Sequence, residues 1–119
     1  MLPAANRMRR SDEFARTFRR GTRRGTRRLV VHAATTDAGE PPRVGFVVSK
    51  AVGGAVVRNR VKRRLRAVLM HRVTDLLPGT LVVVRALPPS ANATSAELER
   101  DVDGSLTSLG LRAKVVPAR

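Results

Sequence analysis

Residues 43–66, RVGFVVSKAVGGAVVRNRVKRRLR, join a strand pattern to a helix pattern across a short link that contains two glycines. Residues 43–49 are rich in β-branched and apolar side chains, which is typical of a β-strand. The adjacent Gly53 and Gly54 indicate a flexible connection over residues 51–55. Beyond this link the apolar residues follow a helical spacing, and we predict a helix over residues 56–77 that ends at Pro78-Gly79.

The predicted helix has one apolar face and one cationic face. Its apolar residues recur at i, i+4, i+8, i+11 and i+12, which aligns them as one stripe. The stripe consists of Val57, Val61, Leu65, Val68 and Leu69. At about 100° per residue, Arg58, Lys62 and Arg66 fall on one flank of the stripe, whereas Arg60, Arg63 and Arg64 fall on the other. The sequence therefore predicts that the helix buries its stripe and turns these cations towards solvent.

The charge of this helix is unusual for a surface that is merely solvated. No acidic residue occurs between residues 56 and 71. Opposite charges at i,i+4 stabilise a helix and like charges destabilise it, so an exposed structural helix normally mixes the two signs. The whole chain carries 24 Lys and Arg against 9 Asp and Glu, a formal net charge of +15. A polyanionic partner relieves the self-repulsion of such a chain, and we predict a nucleic-acid surface on this helix.

Length and composition limit the other classes of protein. A chain of 119 residues suits one domain with one core, and we predict a single domain over residues 1–119 with a flexible basic arm at 1–10 and a flexible tail at 112–119. Cysteine is absent, which excludes disulfides, thiolate nucleophiles and thiolate zinc sites. The longest apolar runs are too short to span a bilayer, and the apolar stripe lacks Trp and Phe, which argues against a membrane-surface helix. We therefore expect a cytoplasmic protein without a membrane partner.

The segment before the quoted stretch predicts one helix and one strand. Ser11 suits the N-cap position, and the two acidic residues after it place negative charge on the first turn, where the helix dipole favours it. We expect the helix over residues 12–20, with Gly21 as its stop, followed by a basic loop that contains two Gly-Thr pairs. Leu29–Thr35 is β-branched and apolar, and we predict that it pairs with residues 43–49 in an antiparallel hairpin.

The segment after the long helix predicts a third strand and a last helix. Thr80–Ala86 is apolar and β-branched, and the prolines that follow it end the strand. Thr94-Ser95-Ala96-Glu97 matches a capping box, and the helix that it opens turns Leu98, Val102, Leu106 and Leu109 inward. The order is α-β-β-α-β-α. The predicted fold class is therefore α+β, a single-domain α/β sandwich in which helices pack on a small, mostly antiparallel sheet.

The sequence offers no convincing catalytic group of its own. Acidic residues are few, and the two histidines have no metal-ligand spacing, so we predict no catalytic side chain and assign no metal ligand. Asn59, inside the cationic run, could read a base edge, hold a hydrated metal, orient its neighbours or cap the first turn. Phe14 and Phe18 share a helix face; from their spacing alone they are core residues, and His32 alone is structural.

The quoted stretch resembles the family of bacterial ribonuclease P protein components. The resemblance rests on the order of strand, Ser49-Lys50, glycine-containing link and Arg58-Asn59-Arg60 helix. Residues 10–14 and 18–21 resemble the first helix of that family, and residues 81–85 resemble a later strand. The resemblance covers nearly the whole chain, and only the termini are generic.

The resemblance implies both a fold and a function. The fold would be similar to ribosomal protein S5 domain 2, with a left-handed β-α-β crossover that generic handedness rules oppose. The chain would be the accessory subunit of an endoribonuclease whose catalytic centre is RNA and which removes the 5′ leader of precursor tRNA. Its partners would be ribonuclease P RNA and precursor tRNA, with no small-molecule substrate. The implied cofactor is Mg²⁺, bound mainly by the RNA.

The resemblance also assigns roles to individual residues. The surface for the catalytic RNA would consist of Lys50, Arg58, Asn59, Arg60, Lys62, Arg63, Arg64 and Arg66. A cleft between the first helix and the sheet would hold the single-stranded leader and would be lined by Phe14, Phe18 and His32. His32 stands where relatives often have an aromatic residue, so stacking on the leader would be weaker or would use the imidazole. Ala51 and Gly54 stand where relatives often carry basic residues, which leaves fewer contacts near Lys50.

A structural RNA-binding protein, such as a ribosomal protein, is the alternative interpretation. Such a protein would use the same basic helix, but it would not require the spacing between Ser49-Lys50 and Arg58-Asn59-Arg60. A DNA-binding regulator is a weaker alternative, because no helix-turn-helix pattern precedes the basic helix.

Overall fold

The computed structural model describes residues 2–36 and 39–111. Its helices and strands follow the order α1 (Ser11–Arg20), β1 (Thr22–Gly25), β2 (Leu29–Thr35), β3 (Arg43–Val47), α2 (Ala55–Met70), β4 (Thr80–Ala86) and α3 (Ser95–Ser108). Short 3₁₀ turns occur at Ala4–Asn6, Val73–Asp75 and Pro88–Asn92. The predicted tail at 112–119 lies outside the described residues.

The described strands form one mixed sheet in the order β1-β2-β4-β3. β2 pairs antiparallel with both β1 and β4, whereas β3 pairs parallel with β4. The predicted antiparallel hairpin between β2 and β3 is therefore wrong, because β4 lies between them. Residues 81–84 are apolar on both faces of the sheet and all are buried, which is the pattern of a central strand. The parallel β3-α2-β4 connection is the β-α-β crossover that the resemblance implies.

β1 is a strand that the sequence did not indicate. The predicted basic loop after α1 is wrong, because Thr22–Gly25 pairs with residues 30–33 of β2. Every residue of β1 is exposed, so the strand has none of the apolar alternation by which a strand is recognised in sequence. Charged residues such as Arg23 and Arg24 are common on an edge strand, where they discourage pairing with another chain.

The core lies on both faces of the sheet. α2 and α3 cover one face, on which the side chains of Leu29, Val31, Val82 and Val84 are fully buried. The helices contribute the predicted stripes: Val61, Leu65, Val68 and Leu69 from α2, and Leu98, Val102 and Leu106 from α3. α1 covers part of the other face, where Phe14 packs on a smaller cluster formed by Met8, Leu81 and Val83. The predicted α+β sandwich is confirmed.

The ends of the helices only partly follow the predictions. The predicted capping box is confirmed, since the hydroxyl of Thr94 accepts from the backbone N–H of Glu97 and the Glu97 carboxylate accepts from the backbone N–H of Thr94. α1 begins at Ser11 with Arg10 in the N-cap position, so Ser11 is not the cap. α2 ends at Met70 rather than at residue 77. The apolar spacing continues beyond Met70 because Val73 and Leu76 enter the same core from outside the helix.

The N-terminal segment, residues 2–10, is not the flexible arm that we predicted. The backbone N–H of Met8 donates to the carbonyl oxygen of Val44 over 2.9 Å, and Arg7 forms a parallel bridge with Val44. Leu2 and Met8 are buried. Two apolar anchors spaced six residues apart give no periodic signal, so tertiary contacts and not a local pattern order this segment.

Replacing Gly21 with alanine is expected to destabilise the fold. A Cβ at this position would lie 2.8 Å from the carbonyl carbon of Ala33 and closer still to the carbonyl oxygens of Ala33 and Thr17. Because these are backbone atoms, we expect the free energy of unfolding to fall by about 1–3 kcal/mol. The control Gly104→Ala lies inside α3, where a Cβ meets nothing within 4 Å, and should raise it by about 0.5–1 kcal/mol. Urea unfolding measures both, and equal stabilities would contradict the close packing of α1 on β2.

Candidate nucleic-acid interface

Five of the six cations of α2 divide into two groups according to what they contact. Arg60 donates from Nη2 to the carbonyl oxygen of Ala91 over 3.1 Å, and Arg64 donates from Nη1 to that of Ala93 over 2.6 Å. Ala91 lies in the 3₁₀ turn before α3, and Ala93 is the C-cap residue of that turn. Arg60 and Arg64 therefore tie α2 to the segment that leads into α3, a structural role that the sequence did not indicate.

The second group lies beside a groove between α2, β3 and the N-terminal segment. We call it the α2 groove; its volume is about 580 Å³. Its cations are Lys62, Arg63 and Arg66 from α2 and Arg7 and Arg9 from the N-terminal segment. Arg63 thus belongs with Lys62 and Arg66, and its predicted grouping with Arg60 and Arg64 is wrong. On the helix, Arg63 projects far enough from the stripe that its long side chain can follow either flank.

Six acidic residues of the described chain pair with arginines that lie outside the basic run of α2. Arg28 pairs with Glu97 and Asp101, Arg72 with Glu99 and Asp103, and Arg43 with Glu13 and Glu40. The hydrogen bond with Asp103 is the main cause that raises the pKa of Arg72, and the backbone N–H of Thr94 is the main cause that lowers the pKa of Glu97. Within the part of the chain that the structure describes, Lys62, Arg63 and Arg66 form no ion pair. Their positive field is therefore available to an external anion.

The remaining predicted residues of this surface are accessible. Lys50 is exposed in the link before α2, and Asn59 is exposed on the outer side of the helix. Asn59 lies inside α2, whose N-cap is Gly54, so a capping role for Asn59 is excluded. Arg58 is half-buried, and its Nε has no hydrogen-bond partner among the described residues.

A second candidate surface lies on the opposite face of the sheet, beside α1. The rings of Phe18 and His32 meet edge to face, with 4.7 Å between their centroids. Phe18 is 40% exposed, whereas His32 is 6% exposed and its Nε2 has no hydrogen-bond partner in the described residues. Phe14, the third predicted cleft residue, packs against β3 and lines the α2 groove. The structure therefore joins Phe18 to His32 and places Phe14 next to the cations of α2.

Two arginines that the sequence analysis missed lie near His32. Arg23 is its cross-strand partner on β1, and Arg85 lies on β4 two residues beyond Val83, the partner of His32 on that strand. Burial is the main cause that lowers the pKa of His32, and the charges of Arg85 and Arg23 lower it further. Arg85 is the exposed residue in an otherwise buried strand. An arginine within an apolar strand pattern is a sequence signal that could have identified it as a candidate site residue. Arg23 could be found only from the register of β1.

The described residues contain no group of three or more His, Cys, Asp or Glu side chains that could hold a metal ion. In the same residues no helix is long and apolar enough to cross a membrane. The two candidate surfaces are instead cationic, and both also carry aromatic side chains.

Comparisons with known proteins agree with this description. The ribonuclease P family model matches residues 2–110. The ribonuclease P protein component of Streptomyces griseus is 55% identical over 117 residues, which cover 92% of this chain and 95% of that protein. The chain belongs to the ribonuclease P protein family. The Staphylococcus aureus RNase P protein has a solved structure with a TM-score of 0.83 and 25% identity, covering 91% of this chain and 98% of the other.

Membership of the ribonuclease P protein family confirms the resemblance from which residue roles were predicted. A second relative, the ribonuclease P protein component of a Nocardioides species, is 51% identical over 112 residues and covers 92% of this chain and 96% of its own. The roles of the individual site residues stay predictions, since the family match concerns the whole chain.

The environment of His32 predicts a pH-dependent stability. Because its folded pKa lies below 6.5, the unfolded chain binds this proton more readily, and the free energy of unfolding falls as the pH decreases from above 6.5 towards the folded pKa. The loss is limited to about 1.4 kcal/mol for each unit by which the pKa is lowered. Between about pH 7.5 and about pH 5.5, denaturant unfolding should show a larger loss for the unaltered protein than for His32→Phe. His71→Gln is the control for the exposed histidine, and parallel profiles for the unaltered protein and His32→Phe would contradict the assignment.

Proposed function

We propose that this chain is the protein subunit of ribonuclease P and that it supplies binding surfaces rather than catalytic side chains. The RNA subunit would cleave the 5′ leader from precursor tRNA, while the protein would bind both the RNA and the leader. The observation that carries the proposal is a set of three cations, Lys62, Arg63 and Arg66, in a member of this family. These cations form no ion pair with any residue that the structure describes. A cytoplasmic location stays part of the proposal.

The α2 surface is proposed to bind the phosphate backbone of the catalytic RNA. Backbone contacts give affinity and fix orientation without reading sequence. Arginine suits this task, because its planar guanidinium can donate two hydrogen bonds to one phosphate. Lys50 and Asn59 are accessible at the start and on the outer side of α2 and could extend the same contact.

The sheet face beside α1 is proposed to bind the single-stranded leader. Phe18 is exposed enough to stack on a base, and His32 supports its ring from below. Arg23 and Arg85 place positive charge on the same face of the sheet. Stacking on an aromatic ring together with nearby cations is the usual way in which proteins bind single-stranded RNA.

Magnesium is proposed to be bound mainly by the RNA. Mg²⁺ prefers carboxylate and other oxygen ligands, but Glu13, Glu40 and the acidic residues of α3 are already paired with arginines. The surfaces proposed to meet RNA are cationic, and their positive charge disfavours binding of Mg²⁺ by the protein. The protein's own cations would instead reduce the repulsion between the phosphates of the two RNAs.

Reconstitution tests this function directly. At a magnesium concentration where bacterial ribonuclease P RNA alone cleaves precursor tRNA poorly, adding the folded protein should restore cleavage at the mature 5′ end. Cleavage is measured from end-labelled precursor tRNA, and circular dichroism establishes that the protein is folded. No gain in cleavage with folded protein would overturn the assignment.

The leader surface predicts a selective effect of Phe18→Ala. Removing the exposed ring should weaken binding of precursor tRNA to the reconstituted enzyme by about 1–3 kcal/mol, the range measured for stacking of one base, and should leave mature tRNA unaffected. The control Val56→Ala removes another exposed apolar side chain that lies at the start of α2. If Phe18→Ala weakened both tRNAs equally, the ring would not contact the leader.

A further inference from the structure

The α2 groove combines an apolar floor with a cationic rim. Its floor and walls include Leu2, Met8, Val44, Phe14 and Phe46, and its rim carries the five cations named above. Among the described residues, no acidic side chain lines the groove. A ligand that matches this groove therefore combines an apolar group with a negative charge.

The walls of the groove are held in place before any ligand arrives. Arg7 donates from Nε to the carbonyl oxygen of Leu2 over 2.9 Å, and Asn6 donates from Nδ2 to that of Pro42 over 2.8 Å. On β3, a Cβ at Gly45 would lie 2.5 Å from Cζ of Phe14. The absence of a side chain at residue 45 thus lets the Phe14 ring lie directly on the strand and form one wall.

The size of the groove excludes several occupants. A volume of about 580 Å³ lies in the range of pockets that hold a small ligand, which is too small for a helix or an RNA duplex. The bases of a duplex are also stacked and paired, and its narrow major groove admits no side chains. An unpaired nucleotide has both required parts, because its base offers an apolar π-face and its phosphates are anionic.

We propose that the α2 groove receives the base of one unpaired RNA nucleotide, whose flanking phosphates are bound by Lys62, Arg63 and Arg66. The inference rests on the proposed RNA-binding function and deepens it, since α2 then binds a particular unpaired nucleotide as well as backbone charge. The nucleotide belongs either to the catalytic RNA or to the single-stranded leader, which share this chemistry.

Ala67→Leu tests the proposal without changing charge. Ala67 is exposed on α2 and lines the groove, so a leucine at this position fills space that the base would need while the helix is retained. The matched control is Ala96→Leu, since Ala96 is exposed on α3. The probes are a short single-stranded RNA with one 2-aminopurine and the same RNA annealed to its complement.

We expect Ala67→Leu to weaken binding of the single strand by about tenfold, in line with the loss of one stacked base, and to reduce the change in 2-aminopurine fluorescence. Binding of the duplex should change by less than about twofold, and Ala96→Leu should alter neither probe. Unchanged binding of the single strand, or an equal loss for both probes, would overturn the proposal.

Two further arms identify the source of the nucleotide. Weaker binding of Ala67→Leu to ribonuclease P RNA alone would support a nucleotide of the catalytic RNA. Weaker binding of precursor tRNA, but not of mature tRNA, to the reconstituted enzyme would support a leader nucleotide, and no change in either would overturn the proposal. If the Ala67→Leu protein binds every RNA normally and restores cleavage, only the proposed groove site is refuted. If the unaltered protein fails to restore cleavage, the proposed function itself is refuted.

Discussion

Burial of the apolar stripe of α2 against the sheet is the constraint on which the cationic surface depends. Val61, Leu65 and Leu69 are fully buried in the core. Full burial of one such side chain stabilises a fold by about 1.5–3 kcal/mol, so rotation of the helix about its axis would be costly. The helix is thereby fixed in the one orientation that keeps its cations at the surface. The same burial lets Lys62, Arg63 and Arg66 form one rim of the α2 groove.

The distribution of acidic residues separates the molecule into a neutralised side and a cationic side. Arg28 and Arg72 each bind two acidic residues of α3, and these pairs join α3 to the link before β2 and to the turn after α2. Because these four acidic residues are engaged there, they do not screen the groove or the sheet face near His32. The chain as a whole carries a net charge of +15, and a polyanion bound at the surfaces proposed to meet RNA would reduce its self-repulsion.

Local periodicity predicted those parts of the fold whose determinants lie close together in sequence. The stripe of α2, the strands Leu29–Thr35 and Thr80–Ala86 and the capping box at Thr94 are read from residues within a few turns or one strand. Three features depend instead on contacts between distant segments: the position of β4 between β2 and β3, the polar edge strand β1, and the docking of Met8 on β3. No local pattern encodes such contacts, so tertiary packing decides them.

The candidate site shows the same division. Helical spacing placed the six cations of α2 on its outer surface, but the hydrogen bonds of Arg60 and Arg64 depend on where the turn before α3 lies. The arginines beside His32 could be recognised only from strand register. The fold therefore gives two residues of the basic run a structural role and adds Arg7 and Arg9 to the cations of the groove.

We expect the position of the cations on α2, and not net charge alone, to make this helix the proposed RNA-binding surface. The most direct measurement is the salt dependence of binding to ribonuclease P RNA for Arg63→Ala and Arg100→Ala, which remove one exposed arginine each from α2 and α3. We expect Arg63→Ala to reduce the steepness of log K against log salt concentration by roughly 0.7–0.9 for each lost phosphate contact, whereas Arg100→Ala should leave it unchanged. Equal slopes for the two variants would contradict it.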